Sequence, residues 1–387
     1  MTLDPRIPQA SLGRRLVEDV LAPLKRAFVG KDEIIDLLGV CLAGGENLFL
    51  LGPPGTAKSA LVRELSARLH GRVFDYLLTR FTEPNELFGP FDIRRLREGE
   101  LVTNTEGMLP EAEFVFLDEL LNANSAILNS LLMVLNEKIL RRGRETRELP
   151  LLMVVGASNR LPEDETLAAL FDRFLLRVRC DNVPGDRLAE VLVAGWKLDV
   201  IRQREAGPGM SVDDLRALQQ ELPGVELDTL RPAYLELLLR LRQAGIPISD
   251  RRAVKLQRLV SASALLCGRQ QALVSDLWVL RYIWETEDQQ EVLSAIVQET
   301  LDRAPVEELP HAHPRARGTV PDPEALARDL ESVRQKLAEA AGAAERTALR
   351  DQLSLLAARI PWVAEEQPRI ALQRSLEAAW QQSGTET

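Results

Sequence analysis

The sequence predicts an α/β protein, a three-layer core on a central parallel sheet, followed by an all-α lid and a C-terminal helical hairpin. Three observations carry this expectation. Short apolar runs at 48–51, 73–78, 114–117, 151–156 and 174–178 are separated by helical or polar stretches, as buried parallel strands are. The first run leads directly into the turn Gly52-Pro53-Pro54-Gly55-Thr56-Ala57-Lys58-Ser59 and then a helix-forming segment. After about Asp186 the strand signals fade and apolar residues recur at helical spacing.

In chain order, Leu16, Val20, Leu24 and Phe28 predict a helix over 12–28, broken at Val29-Gly30 before a second over 32–42. The stretches 91–102, turning at Glu98-Gly99, and 138–149, turning near Arg142-Gly143, read as hairpins that project from the core. Their arginines could meet a threaded substrate, a neighbouring subunit or only solvent. Helices are expected over 187–198, 212–221, 228–244, 250–266 and 274–284. Five prolines in 305–323 mark a linker. Beyond it Leu326, Leu330, Val333 and Leu337, then Leu349, Leu353, Leu356 and Ile360, alternate spacings of three and four as the two arms of a hairpin do. The expected division is therefore 1–185 for the core, 186–304 for the lid, 305–323 for the linker and 324–387 for the C-terminal helices.

Composition narrows the function. With 387 residues the chain is long enough for two or three domains. A formal charge of −10 argues against broad electrostatic binding to nucleic acid. Cys41, Cys180 and Cys267 have neither disulfide nor zinc spacing and read as small core residues in a reducing compartment. No apolar run is long enough to span a membrane and the first residues lack a signal-peptide pattern, so a cytoplasmic protein is expected. His311 and His313, in a proline-rich stretch without further ligands, are read as incidental and not as a metal site.

The strand–turn–helix at Gly52 to Ser59 has the form of a phosphate-binding loop. Its backbone N–H groups and the positive end of the following helix face phosphate, while Lys58 and the Ser59 hydroxyl contact the terminal phosphates and magnesium. Ala57 stands where glycine usually precedes the lysine, which is tolerable if that residue already belongs to the first helical turn. The run Phe114-Val115-Phe116-Leu117 ends in Asp118-Glu119, so one carboxylate can hold the magnesium shell and the next can orient or deprotonate a water. Asn159 closes another apolar strand, where it could bond a phosphate or the lytic water, or merely form a turn before Leu161-Pro162.

Six separated segments in this order resemble the MoxR family of AAA+ ATPases, most closely its RavA-like branch. They are the phosphate loop, the Leu117-Asp118-Glu119 strand end, Ser158-Asn159 with Leu161-Pro162-Glu163, the run Leu170-Phe171-Asp172-Arg173-Phe174, the segment from Thr82 to Pro90, and the segment from Gly107 to Ala112. The resemblance covers roughly residues 10 to 300. It implies an AAA+ core that binds ATP and Mg2+, with Lys58 on the β- and γ-phosphates, Ser59 and Asp118 on the metal, Glu119 as catalytic base and Asn159 as first sensor. It further implies that Arg173 acts across a subunit boundary and that Arg251, with Arg252 beside it, is the second sensor acting within its own subunit. Val29-Gly30-Lys31 resembles the segment beside adenine, read by its backbone. The family also implies a homo-oligomer, a hexameric ring, that remodels a client protein, often beside a partner with a von Willebrand factor A domain. A nucleotide-gated scaffold without hydrolysis is the alternative, and a DNA-directed AAA+ protein fits the acidic balance less well.

Overall fold

A computed structural model describes residues 12–384, apart from 98–101, 143–144, 163–164, 202–208, 306–307, 309–311, 318–322, 340–345, 347–348, 350–352, 354–355, 357–359, 361–362 and 364–365. Contacts divide the chain into two compact units, Met1–Ala272 with Val279–Ile296, and Leu273–Trp278 with Val297–Thr387.

The first unit is built on a five-stranded parallel sheet of β1 (Leu48–Leu51), β2 (Val73–Leu77), β3 (Phe114–Asp118), β6 (Met153–Ser158) and β7 (Leu176–Arg179), in the order β2-β3-β6-β1-β7. β1 and β6 are buried throughout, as strands covered on both faces by helices must be, and this is why they read as unbroken apolar runs. β4 (Ile139–Arg142) and β5 (Glu145–Glu148) form a separate antiparallel hairpin, in agreement with the expected one over 138–149; the tip residue Gly143 lies outside the described residues. The other expected hairpin is not one. Phe91 and Thr103 form a single antiparallel bridge, and Ile93–Arg97 between them is helical because Asp92 Oδ1 accepts the N–H groups of Arg94 and Arg95 and starts a helical turn. Glu98-Gly99, its expected turn, lies outside the described residues.

The N-terminal helix carries an irregularity that periodicity does not show. Leu12–Arg15 and Ala22–Ala27 are α-helical, but Leu16–Leu21 is a π turn in which the Ala22 N–H reaches back to the Val17 carbonyl. Pro23 offers no N–H for the regular ladder, so the turn widens one residue before it. Leu16, Val20 and Leu24 still reach the core.

The lid helices start where their caps place them. Ser211 and Asp214 form a reciprocal capping box at the start of Val212–Glu221, and the Ser249 hydroxyl accepts the Arg252 N–H at 3.2 Å at the start of Asp250–Leu266. Asp250–Leu266 packs on the core helix Asp32–Gly44, where Arg258 Nε donates to the Gly44 carbonyl at 3.2 Å and Lys255 pairs with Glu46 at 3.1 Å. Val274–Tyr282, expected as an α-helix, is a 3-10 helix, whose opening Leu273 N–H is taken by Asp276 at 2.8 Å.

In the second unit Pro323–Glu339 packs along Glu366–Gly384, a helix the apolar spacing does not mark. Leu326, Leu330, Leu353, Ile360, Leu372 and Ala379 share one apolar cluster. Part of the expected linker is built into this unit: Ala312 and His313 are buried, the His313 ring stacks on Trp278 at 4.7 Å, and the His313 backbone N–H donates to Ser275 Oγ at 3.0 Å. Among the described residues no group of three or more potential metal-ligating side chains occurs and no helix is long and apolar enough to cross a membrane; His311 lies outside them.

Candidate nucleotide site

Sheet order assembles the site. β3, β6 and β1 are consecutive neighbours, and their C-terminal ends carry Asp118 with Glu119, Asn159, and the loop from Gly52. In a parallel sheet these ends share one edge, the usual ligand edge of such folds. Gly52 leaves β1 with its N–H on the Ser158 carbonyl at 2.9 Å. A Cβ here would stand 2.3 Å from the Cys180 carbonyl oxygen, so the close approach of the loop to the end of β7 requires glycine.

The loop folds around the lysine. Lys58 is 5 % exposed and donates from Nζ to the carbonyls of Gly52 and Pro53, each at 2.9 Å, while Thr56 Oγ1 donates to Pro53 at 3.1 Å. Pro53, Pro54, Gly55 and Ala57 are exposed, and Ser59 is half-buried in the first turn of the helix Lys58–Arg68. Ala57 departs from its expectation. It is not helical but caps that helix in the left-handed region, with φ 66° and ψ 21°. An alanine there carries about 1–2 kcal/mol of strain that glycine would not, so the residue type departs from the usual loop while the backbone keeps the glycine-like shape.

Glu119 follows β3, also left-handed, with φ 51°. Its N–H donates to Asp118 Oδ1 at 3.0 Å and its Oε2 accepts from Asn122 Nδ2 at 3.4 Å. Burial and the Asp118 charge raise its pKa above the ordinary carboxylate value, and the nearby cations Lys58 and Arg160 oppose them. The charges of Lys58 and Asp118 therefore both act on the Glu119 carboxylate. Asn159 is exposed at the tip of β6.

A cavity of about 520 Å3 opens beside the loop, walled by Phe28, Val29, Ala57, Val183, Leu188 and Val191. Gly30, between the lining residues Val29 and Lys31, has φ 72°, and a Cβ there would stand 3.3 Å from Val183. The cavity's lining is mainly apolar, as the pockets of planar ligands are, and Lys31, held on the Asp181 carbonyl at 2.5 Å, also lines it. The donor set fits magnesium nucleotide chemistry, with a hydroxyl and a carboxylate for a hard cation and a buried ammonium for phosphate.

Arg173 and Arg251 do not line that cavity, and neither do Lys58, Asp118, Glu119 and Asn159. The two arginines meet in a small recess with Asp172, Ser249, Arg252 and Lys255. Arg173 makes a long contact to Asp172 at 3.4 Å, and among the described residues its buried Nε has no hydrogen-bond partner. Arg251 is exposed, with a single long bond to Asn136 at 3.5 Å. Arg252 is 4 % exposed and pairs with Glu285. Near it Arg177, fully buried on β7, donates to the carbonyls of Phe171, Ile283 and Trp284 and lies 4.2 Å over the Phe171 ring; burial pushes its pKa down to about 9. Sequence reasoning missed Arg177, Asn122 and Arg160. An arginine inside an apolar strand was the available signal for Arg177, whereas Asn122 and Arg160 acquire their meaning only from strand adjacency.

The fold and the site define a P-loop ATPase architecture of the AAA+ type with a helical lid. The MoxR domain found in MoxR-vWA-beta-propeller ternary systems matches residues 14–220, and an AAA lid domain matches residues 229–297. Two uncharacterized proteins of Methanocaldococcus jannaschii are 36% and 37% identical, over 75% and 70% of this chain and 78% and 72% of their own lengths. Chaperone MoxR1 of Mycobacterium tuberculosis is 29% identical over 53% of each chain. A crystal structure from Cytophaga hutchinsonii, described as that of a candidate ATPase, superposes with TM-score 0.61 and 19% identity, covering 74% of this chain and 94% of that one, a likeness of fold. The chain belongs to the MoxR family of AAA+ ATPases. The matched description names MoxR-vWA-beta-propeller systems and not the RavA-like branch.

Proposed function

We propose that this chain hydrolyses ATP in a homo-oligomeric, hexameric ring and uses the resulting movement of lid against core to remodel a client protein complex. The observation that carries the reading is the adjacency of β1, β3 and β6, which gathers Lys58, Asp118, Glu119 and Asn159 at one sheet edge. Ser59 and Asp118 would hold Mg2+, which neutralises charge on the transferred phosphoryl group. Lys58 exchanges its loop carbonyls for phosphate oxygens, and the loop N–H groups complete the cradle. Glu119 Oε1 takes the proton of the attacking water, and its raised pKa makes it a better acceptor. Asn159 orients that water.

Arg173, loosely held at 3.4 Å by Asp172, is taken to act on the nucleotide of a neighbouring copy, and Arg251, exposed and loosely held by Asn136, on that of its own subunit. Arg252, committed to Glu285, supports Arg251 as the second sensor. A partner carrying a von Willebrand factor A domain is the expected associate, since the matched domain is described from such systems. We keep the division into core 1–185, lid 186–304, linker 305–323 and C-terminal helices 324–387 as the working domain scheme, and the cytoplasm as the working location.

The deciding measurement is phosphate release. Wild-type protein turns over ATP, while Glu119→Gln binds ATP with little loss of affinity and turns over at least about a hundred-fold more slowly, as expected for losing a general base. Wild-type protein that assembles on ATP with no turnover, and is indistinguishable from Glu119→Gln, leaves only the scaffold.

A further inference from the structure

Asn122 ends the 3-10 turn Leu120–Asn122 after β3, and its backbone N–H donates to the Glu119 carbonyl at 2.9 Å. This turn brings its side chain back to the Glu119 carboxylate, with Nδ2 3.4 Å from Oε2. On the other side its Oδ1 accepts from Arg160 Nη2 at 3.1 Å. Arg160 directly follows Asn159, and its N–H donates to Ser158 Oγ at 3.3 Å, which ties it to the tip of β6. Because β6 pairs with β3, the two strand ends stand side by side.

Donor and acceptor chemistry makes this link directional. A guanidinium only donates, so it can be matched by the oxygen of the Asn122 amide and not by its nitrogen. The amide nitrogen is then the atom that faces Glu119, whose ionised oxygens only accept. With Arg160 removed, the Asn122 oxygen loses its donor, and the 3.4 Å contact to Glu119 Oε2 is what is left in this chain of contacts to orient the amide.

We propose that Arg160 is a positioning residue for the Glu119 carboxylate, acting by fixing the orientation of the Asn122 amide. The inference rests on the ATPase reading of Glu119. Asn122 holds Oε2, and the strand-end geometry leaves Oε1 for the proton that Glu119 accepts.

The test uses the full chain. In Arg160→Ala kcat falls about ten-fold, the worth of one hydrogen bond to a charged group, with KM and calorimetric ATP affinity changed by less than about two-fold. Asn122→Ala gives the same loss and the double variant is no slower than either single one, because both cut the same link. Arg160→Lys recovers most of the rate, since an ammonium also only donates. Crystals of nucleotide-free Arg160→Ala show the Asn122 amide turned away from Glu119, and those of Arg160→Lys show it in place. A wild-type kcat in Arg160→Ala, multiplicative losses in the double variant, or an unmoved Asn122 amide overturns the proposal. Absence of wild-type turnover removes the ATPase reading instead, and the crystal comparison still decides whether Arg160 orients Asn122.

Discussion

Arg252 and Glu285 form an ion pair of 2.5 Å, with the arginine almost wholly buried at the start of the helix Asp250–Leu266. Arg252 Nη2 also donates to the Ile283 carbonyl, which Arg177 shares. Arg252→Ala leaves Glu285, a third exposed, without its partner and removes the buried guanidinium's bonds, so it is expected to lose about 1–3 kcal/mol of stability in urea unfolding. Arg251→Ala, exposed and loosely held, leaves stability within about 0.5 kcal/mol and lowers ATP turnover. Equal loss of stability in both variants would refute this division of labour.

The shared recess of Arg173 and Arg251 gives a mixing prediction. Arg173→Ala retains Glu119, and Glu119→Gln retains Arg173. If the arginine crosses a subunit boundary, mixing the two nearly inactive variants restores phosphate release above their sum. Arg251→Ala mixed with Glu119→Gln gives no such gain, because Arg251 and Glu119 serve the nucleotide of the same subunit. A mixture no faster than its components places the arginine in its own subunit.

Ala57 supplies a test whose sign is decisive. In the left-handed region Ala57→Gly relieves strain that outweighs the added freedom of glycine in the unfolded chain, so it stabilises by about 0.5–1 kcal/mol. At an ordinary helical position the same change would destabilise by about 1 kcal/mol. Chemical unfolding of nucleotide-free protein distinguishes the two.

Glu119 predicts a pH dependence. Burial and Asp118 raise its pKa in the folded protein above 4.5, the ordinary value. The folded chain therefore holds this proton more tightly than the unfolded one, and ionised Glu119 costs stability above the raised pKa. That cost vanishes as pH falls below the ordinary value. Glu119→Gln should therefore be more stable than wild type at neutral pH in magnesium-free buffer, with the advantage shrinking on acidification. A difference that grows on acidification reverses the sign and would refute the shift.

Legibility followed the range of the interactions involved. The loop around Lys58 and the strand ends at Asp118 and Asn159 are local patterns of apolar run and polar tip, readable because each is specified within a few residues. Ser249 and Ser211 cap their helices over the same short range, since a cap bonds three residues on. The segment 91–102 misled because Asp92 bonds the N–H groups of Arg94 and Arg95, and that local bond draws the chain into a helical turn where alternation suggested strand.

By itself the sequence determined the strand–loop–helix of the phosphate cradle, the acidic strand end and the run of lid helices, because burial periodicity and capping act over a turn or two. Only the tertiary structure decided that Ala57 is left-handed, that Arg252 is a buried strut while Arg251 is exposed beside Arg173, and that Arg160 reaches Glu119 through Asn122. Those outcomes depend on which strands and helices become neighbours, and neighbours distant in the chain are chosen by the packing of the whole core.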